Sequence, residues 1–388
     1  MAAAGYSTPF KGKFHLTKPQ DQHSVYKPND VDQYGFQSWN PPDAGANQSP
    51  TEFGGGYINN DGRYVNADGP IVFGQEGICE YLRSDSAKAK PFFLVASLVN
   101  PHDVIAYPTT AFWNGYTPDW LKGDIGLPPT YEEDLSTKPS VQVQLNKLAA
   151  QGLGQLDTEQ ARNYINFYGN LMKLADQYLV QVLDVLEAEG VLQSTLIIRT
   201  SDHGEMGMAH GGMRQKNFNF YEETLRVSLV YSNPQLFPEP VSTDAMVSHV
   251  DFLPTLAALF PGNPAVTVAW QGIDYSSVIL NSGNGHTQDY IVFTYDDYQS
   301  GQASGPYPGP LNHIVSIRET RYKLAKYYSE DHAHLPPQWE MYDLECDPNE
   351  RHNIAWPDAE RTPEQEQEFQ RLQASLAAVE QTRLRPLS

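Results

Sequence analysis

Apolar residues recur at helical spacing over one long stretch, residues 158–189: Ile165, Tyr168, Leu171, Leu174, Leu179, Leu183 and Leu186. Intervals mostly of three and four lay an apolar stripe along a helix, and Gly190 supplies its stop. Short β-branched or aromatic runs predict strands over 91–99, which ends at Asn100-Pro101, over 195–200, and over 226–231. Short helices are predicted over 76–86 and 250–259, the second with Pro254 in its first turns. Residues 76–260 therefore read as strands alternating with helices, the α/β pattern. From residue 290 the pattern changes. Ile291 to Tyr295, Ile314 to Arg318 and Tyr322 to Tyr328 read as successive strands without helices between them. A polar amphipathic helix over about 363–384 closes the chain. Residues 5–75 and 103–157 show little periodicity and read as long loops, the second rich in proline.

Composition narrows the function classes. The chain has 388 residues, 40% of them hydrophobic, which suffices for one large or two modest domains. Its net charge of −21 argues against general nucleic-acid binding, which needs Lys and Arg against phosphate. It leaves room for an anionic small substrate in a local basic pocket. The longest apolar run, Phe92 to Val99, is too short to cross a bilayer. The first residues lack a basic segment followed by an apolar one, so no signal peptide is read, and the compartment stays open. Cys79 and Cys346 make neither a disulfide framework nor a paired-cysteine metal motif.

Chemistry concentrates in SDHGEMGMAHGGMRQKNFNFYEET, residues 201–224, which follows the predicted strand 195–200. Asp202 and His203 then stand at a C-terminal strand end, the edge where open α/β sheets bind ligands. A carboxylate beside an imidazole suits Ca²⁺, Mg²⁺, Mn²⁺ or Zn²⁺. Taken alone, the tripeptide Asp202-His203-Gly204 reads first as a capped turn beside a surface histidine. GYSTPFKGKFH, residues 5–15, offers Lys13 and His15 for a tetraoxyanion, or merely a solvated basic loop. His102, in Asn100-Pro101-His102-Asp103, stands at a second strand end.

These segments together resemble one family, the sulfatases of the alkaline-phosphatase-like superfamily. GYSTPFKGKFH resembles their second signature, PFFLVASLVNPHD their strand and following turn, and TLIIRTSDHGEMGMAHGGMRQKNFNFYEETLRVSLV their metal-and-lysine segment. VDFLPTLAALF and MYDLECDPNERHNIA resemble two further landmarks, and all five occur in the family's order. The resemblance implies roles. Asp202 and His203 match a pair of metal ligands, Lys13 and Lys216 match lysines on the sulfate oxygens, and His15 matches a histidine beside the nucleophile. His102 matches a histidine near the leaving-group oxygen. His210 and Arg214 lie close by, His210 with a substrate-contact role and a structural one equally open. The implied cofactor is a divalent cation, Ca²⁺ first, with Mn²⁺ or Mg²⁺ possible. The implied substrate is a small-molecule or carbohydrate sulfate ester.

The family's nucleophile, a formylglycine made from Cys or Ser in C/S-x-P/A-x-R, has no match here. Cys79 precedes Arg83 but has Tyr81 in place of Pro or Ala, and Cys346 has Pro348 but Glu350 in place of Arg. Cys79 reads instead as a core residue on a helix face. The family's opening strand with paired aspartates is not matched either, so an N-terminally truncated sulfatase is expected. The expected fold is an alkaline-phosphatase-like α/β sandwich with a mostly parallel central sheet, residues 1–285, and a small α+β subdomain, residues 286–388. Strands 92–99 and 195–200 are expected as parallel neighbours, placing Lys13, His15, His102, Asp202, His203 and Lys216 around one site. The expected reaction is hydrolysis of a sulfate monoester, with this chain inactive alone. The alternatives are a phosphonate or phosphate ester hydrolase of the same superfamily and a non-catalytic anion-binding remnant.

Overall fold

The structure, a computed structural model, describes residues 1–17, 26–41, 43–44, 53–56, 59–66, 76–109, 111–112, 114–260, 270–281, 283–297, 305–329 and 335–384. The long loops read over residues 5–75 and 103–157 thus fall partly outside the described residues. Strand β1 (Phe10–Gly12) pairs in parallel with β2 (Val95–Ser97), Lys11 opposite Ala96. Strand β3 (Ile197–Thr200) pairs antiparallel with β4 (Leu229–Ser232), Ile198 opposite Tyr231. β2 and β3 are not paired with each other. The expectation that they are parallel neighbours is corrected here. The two short ladders, one parallel and one antiparallel, stand where a mostly parallel sheet was expected. Neither β2 nor β3 is fully buried on either face, which fits strands with one partner each.

The helix Thr158–Ala188 matches its predicted span. Its start is a reciprocal cap: Gln160 N donates to Asp157 Oδ1 at 2.8 Å, and Asp157 N to Gln160 Oε1 at 3.0 Å. Its inner stripe of Tyr178, Val185 and Leu186 packs on Val65, Ile78, Cys79 and Leu82. Cys79 is indeed a buried residue of the helix Ile78–Arg83. Elements read as loop in the sequence are β1 and the helices Asn60–Asn66 and Ser140–Leu153.

The C-terminal half holds a four-stranded antiparallel sheet, β5 (Tyr290–Tyr295), β6 (His313–Glu319), β7 (Tyr322–Tyr328) and β8 (Gln338–Asp343), in sequential order. β8 adds a strand to the three predicted. Alternation along β7 divides its side chains between two cores. Tyr322 and Leu324 face the helix Pro363–Thr382 with its Leu372, Leu376 and Val379. Ala325 and Tyr327 face Met206, Ala209, Met213, Phe218 and Tyr221 of the chemistry-rich loop. The sheet is therefore the floor on which that loop is built.

Candidate active site

The loop edge is held by buried carboxylates that accept backbone N–H groups. After β1 the chain runs so close to β2 that a Cβ on Gly12 would lie 1.9 Å from the Ser97 carbonyl oxygen. Only glycine lets Lys13 N donate to that oxygen at 2.9 Å. Asp43 then accepts Phe14 N at 2.8 Å and His15 N at 2.6 Å, fixing the turn that carries Lys13 and His15. Because β2 is parallel to β1, its C-terminal turn opens on the same edge. There Asp61 accepts Val99 N at 2.7 Å and Asn100 N at 3.0 Å. Burial pushes the Asp61 carboxyl up to about 7, since the charged form loses water that two N–H groups only partly replace. Asp103, fully buried, accepts Gly54 N, Gly55 N and the Tyr116 hydroxyl, and lies 3.4 Å from His102 Nδ1.

β3 delivers Asp202 and His203 to an open surface, their side chains 70% and 40% exposed. Asp202 Oδ1 accepts His203 N at 2.9 Å, and Asp202 Oδ2 lies 3.5 Å from His203 Nε2. His203 Nδ1 is 2.8 Å from the Gly204 carbonyl oxygen, which can only accept, so Nδ1 carries the proton and Nε2 keeps its lone pair. That is the arrangement of a metal-binding histidine. Glu205 turns inward, taking the Tyr164 hydroxyl at 2.7 Å and Gln215 N at 2.8 Å, and so anchors the residue before Lys216. Burial raises its carboxyl above the ordinary range.

Lys13, Lys216, Asp202 and His203 come within one another's electrostatic reach, and His15 within that of Lys13, Lys216 and His102. Burial lowers Lys216, and the nearby Lys13 ammonium lowers it further, with Asp202 pulling the other way. Partial burial works against the Asp202 carboxylate, but His203, Lys13 and Lys216 together hold it below the usual range. His203 is lowered by burial and then by Lys216, and His15 by burial, then Lys13, with smaller effects from His102 and Lys216. Two ammonium groups, two imidazoles and one carboxylate thus share a patch of field that His102 adjoins through His15, although their sequence positions run from 13 to 216.

His210 does not join them. It is fully buried, its ring stacked on Tyr221 at 3.7 Å and its Nδ1 2.7 Å from Glu133 Oε2. The substrate-contact role considered for it is corrected: no face of the ring reaches solvent. Arg214 is also buried and donates to the carbonyl oxygens of Ala149 and Gly154. Sequence reasoning missed Asp43 and Asp61, which sit in Gly-, Pro- and Asn-rich tracts with no periodicity to mark them. Asp103 and Glu205 were in view, but only as members of motifs, without a role.

The Sulfatase family model matches residues 1–262, and the model for the C-terminal part of N-sulphoglucosamine sulphohydrolase matches residues 210–381. The chain is 26% identical to a choline-sulfatase of Rhizobium meliloti, over 92% of this chain and 66% of that protein. It is 25% identical to a delta 4,5-hexuronate-2-O-sulfatase of Bacteroides thetaiotaomicron, over 69% of this chain and 53% of that protein. The chain thus spans about half to two thirds of the length of these curated relatives. Among solved structures it superposes on a 2-O GAG sulfatase with a TM-score of 0.67 at 22% identity, covering 98% of this chain and 72% of the other. It also superposes on a phosphonate monoester hydrolase of Silicibacter pomeroyi with a TM-score of 0.65 at 19% identity, covering 99% and 79%. These likenesses establish the alkaline-phosphatase-like fold, and with a family match over residues 1–262 the chain belongs to the sulfatase family.

Proposed function

We propose that this chain carries the anion-binding and leaving-group side of a sulfate monoesterase site. The observation that carries the proposal is the convergence of Lys13 and Lys216 beside Asp202. The Lys13 ammonium lowers Lys216, and two ammonium groups held this near each other are costly unless an anion balances them. A sulfate ester is a fitting anion: its hydrolysis needs charge stabilisation on the non-bridging oxygens, which two lysines supply. His102, braced by Asp103, is the candidate acid for the departing alkoxide. His15 lies on the same edge beside Lys13, placed to hold a proton near the attacking group.

Sulfatases use a divalent cation, and the residues present fit half of such a site. Asp202 Oδ2 and the free Nε2 of His203 would hold it, and when bound it would supply positive charge to the sulfate oxygens. Ca²⁺ takes six to eight oxygens and so needs further ligands, whereas the imidazole suits Mn²⁺ equally well. We place the division between the catalytic part and the C-terminal part near residue 285, ahead of β5. A sulfated small molecule or sugar is the substrate class we favour, as in the relatives' names.

Residues 1–388 contain no C/S-x-P/A-x-R motif, so the chain as given binds the anion without turnover. Calorimetric titration of inorganic sulfate tests this: binding should weaken more than about tenfold in Lys216→Ala, the loss of one charge-assisted contact. Equal affinity in parent and variant would remove the proposed site. Release of nitrophenol from its sulfate ester at a rate well above Lys216→Ala would show that another group acts as nucleophile. The fold shared with a phosphonate monoester hydrolase keeps a phosphonate or phosphate ester as the second reading. Phosphate and methylphosphonate titrated beside sulfate distinguish the two.

A further inference from the structure

Below the loop edge lies a second cluster that the sulfatase chemistry does not use. His210 from the loop after β3, Glu223 from the short helix Glu222–Leu225, and Glu350 from the turn after β8 bring one ligand atom each within 4.8 Å of one another. His210 is held there at φ 47°, ψ 70°, a left-handed conformation unusual for a residue with a side chain. Glu133 Oε2 faces His210 Nδ1 at 2.7 Å and, as a carboxylate, can only accept, so Nδ1 carries the proton. In a neutral ring Nε2 then keeps its lone pair, which points into the cluster. It is wholly buried, has no hydrogen-bond donor, and meets Glu223 Oε1 at 3.5 Å. Glu350 Oε1 and Glu223 Oε2 are likewise buried without a hydrogen bond, although Lys323 Nζ lies 2.6 Å from Glu350 Oε1.

The charges around the cluster do not balance. Glu133, Glu222, Glu223 and Glu350 face Lys138, Lys323, Arg318 and the His210 ring, so with a neutral ring four carboxylates stand against three cations. An excess of negative charge around a buried ring is what a bound cation offsets.

We propose that His210 Nε2, Glu223 and Glu350 form a divalent transition-metal site, of the Zn²⁺ class, distinct from Asp202 and His203. Three close ligands including an imidazole suit a four-coordinate ion rather than Ca²⁺. Glu133 orients the ring from behind, as a carboxylate does for a zinc-bound histidine. Lys323 need not leave, since it also donates to the Phe220 carbonyl oxygen at 2.5 Å and to Glu222 Oε1 at 3.3 Å. The position gives the ion a structural task. The Glu223 carbonyl oxygen accepts Glu205 N at 3.0 Å and the Thr224 carbonyl oxygen accepts Gly204 N at 2.9 Å. A cation on Glu223 and Glu350 would clamp the backbone behind Asp202 and His203 to the C-terminal sheet.

The test is Zn²⁺ titration of the chelator-dialysed full chain by calorimetry, with Co²⁺ absorption reporting nitrogen ligation. Expected is one Zn²⁺ site that survives the double variant Asp202→Asn with His203→Ala, weakens at least about tenfold in Glu133→Gln, and is lost in His210→Gln. Because His210→Gln could unfold the interior, Glu223→Gln, on a partly exposed side chain, is the second probe. It should keep the parent's near-ultraviolet circular dichroism while losing the Zn²⁺-induced rise in Tm. Absence of a Zn²⁺ site, its loss in the Asp202/His203 double variant, or undiminished Zn²⁺ affinity in Glu223→Gln would each overturn the proposal. So would a doubly protonated His210 ring at neutral pH, seen by NMR, that Zn²⁺ does not displace.

Discussion

In the sheet β5–β8 the backbone N–H groups pair strand to strand, in registers such as Leu324 opposite Met341. At the loop edge the N–H groups of Phe14, His15, Val99, Asn100, Gly54, Gly55 and Gln215 go instead to four carboxylates, Asp43, Asp61, Asp103 and Glu205. Both solutions satisfy buried donors, which is obligatory. They differ in cost. A ladder pairs neutral groups, whereas a buried carboxylate must give up water, which raises Asp43, Asp61 and Glu205. What the loop edge gains is freedom of shape: the backbone can turn to present Lys13, His102 and Lys216 where no regular element would. The sheet is rigid by repetition, and the edge by a few charged struts.

The largest difference between the regions should appear with pH. The folded pKa of Asp61, about 7, lies above the unfolded value near 3.8. Folding therefore takes up a proton between these values, and the stability contributed by Asp61 is full below about pH 4 and declines as pH rises to about 7. The decline is on the order of 4 kcal/mol at most. In Asp61→Asn this limb should vanish, with the variant less stable than the parent at low pH, because it gives up an acceptor, and overtaking it near neutrality. Urea unfolding of both chains across this range is the measurement. Parallel curves would mean that Asp61 is not charged in a dry interior.

In the sheet the counterpart is Leu324→Ala. Leu324 is fully buried between the sheet and the helix Pro363–Thr382, so truncation leaves a cavity costing about 3 kcal/mol. That cost should be the same at pH 5 and pH 7, and the sulfate affinity of the folded fraction should not change. A loss of sulfate binding in Leu324→Ala at full folding would tie the sheet to the site more closely than packing alone does.

The same contrast explains what could be read from the sequence. Residues 158–189 and the strands after 290 announce themselves because periodic burial writes a periodic pattern; the helix Thr158–Ala188 and β6 and β7 follow. The motifs at strand ends marked Lys13, His102, Asp202 and Lys216, but the strand pairing expected to bring His102 and Asp202 to one edge is absent, since β2 and β3 pair with other strands. The carboxylate struts left no trace. Asp43 and Asp61 serve through single side chains reaching 28 to 39 residues away to backbone groups, and a lone acid in a polar loop looks the same whether it reaches or not. β8 was missed because Gln338-Trp-Glu-Met-Tyr-Asp343 buries Glu340, which is satisfied by Tyr342 in the same strand, by Tyr327 of β7 and by Gln142, 198 residues away. His210 was misjudged for the converse reason: a histidine in a ligand-rich loop invites a surface role, and only packing on Tyr221 reveals the interior one.

A single strut can be removed with little global damage. Asp43→Ala frees Phe14 N and His15 N, one of them buried, at a cost of about 1–2 kcal/mol. Its larger effect should be on function, because the freed turn carries Lys13. Sulfate affinity should fall by about tenfold or more even though Lys13 itself is intact. Calorimetry beside urea unfolding separates the two effects; a stability loss with unchanged sulfate affinity would show that the Gly12 contact to Ser97 alone holds the turn.

The smallest effect is expected where the sheet too uses charge, but in water. Arg371 on the closing helix reaches both carboxylate oxygens of Glu319 at the end of β6, at 2.8 and 2.6 Å, and Glu368 on its own helix. The geometry is two-pronged, which favours Arg, yet the Arg371 side chain is 43% exposed. Water screens the attraction, and ordering a long side chain opposes it, so Arg371→Ala should cost less than about 1 kcal/mol. Leu372 and Leu376, fully buried on the neighbouring face, keep the helix docked without it. Raising the salt concentration to about 1 M shortens the screening length to about 3 Å and should erase most of the difference between parent and variant. The cost of Leu324→Ala should persist under the same salt. If Arg371→Ala instead costs several kcal/mol and salt does not reduce it, the helix is held to the sheet by charge as the loops are, and the distinction between the two regions fails.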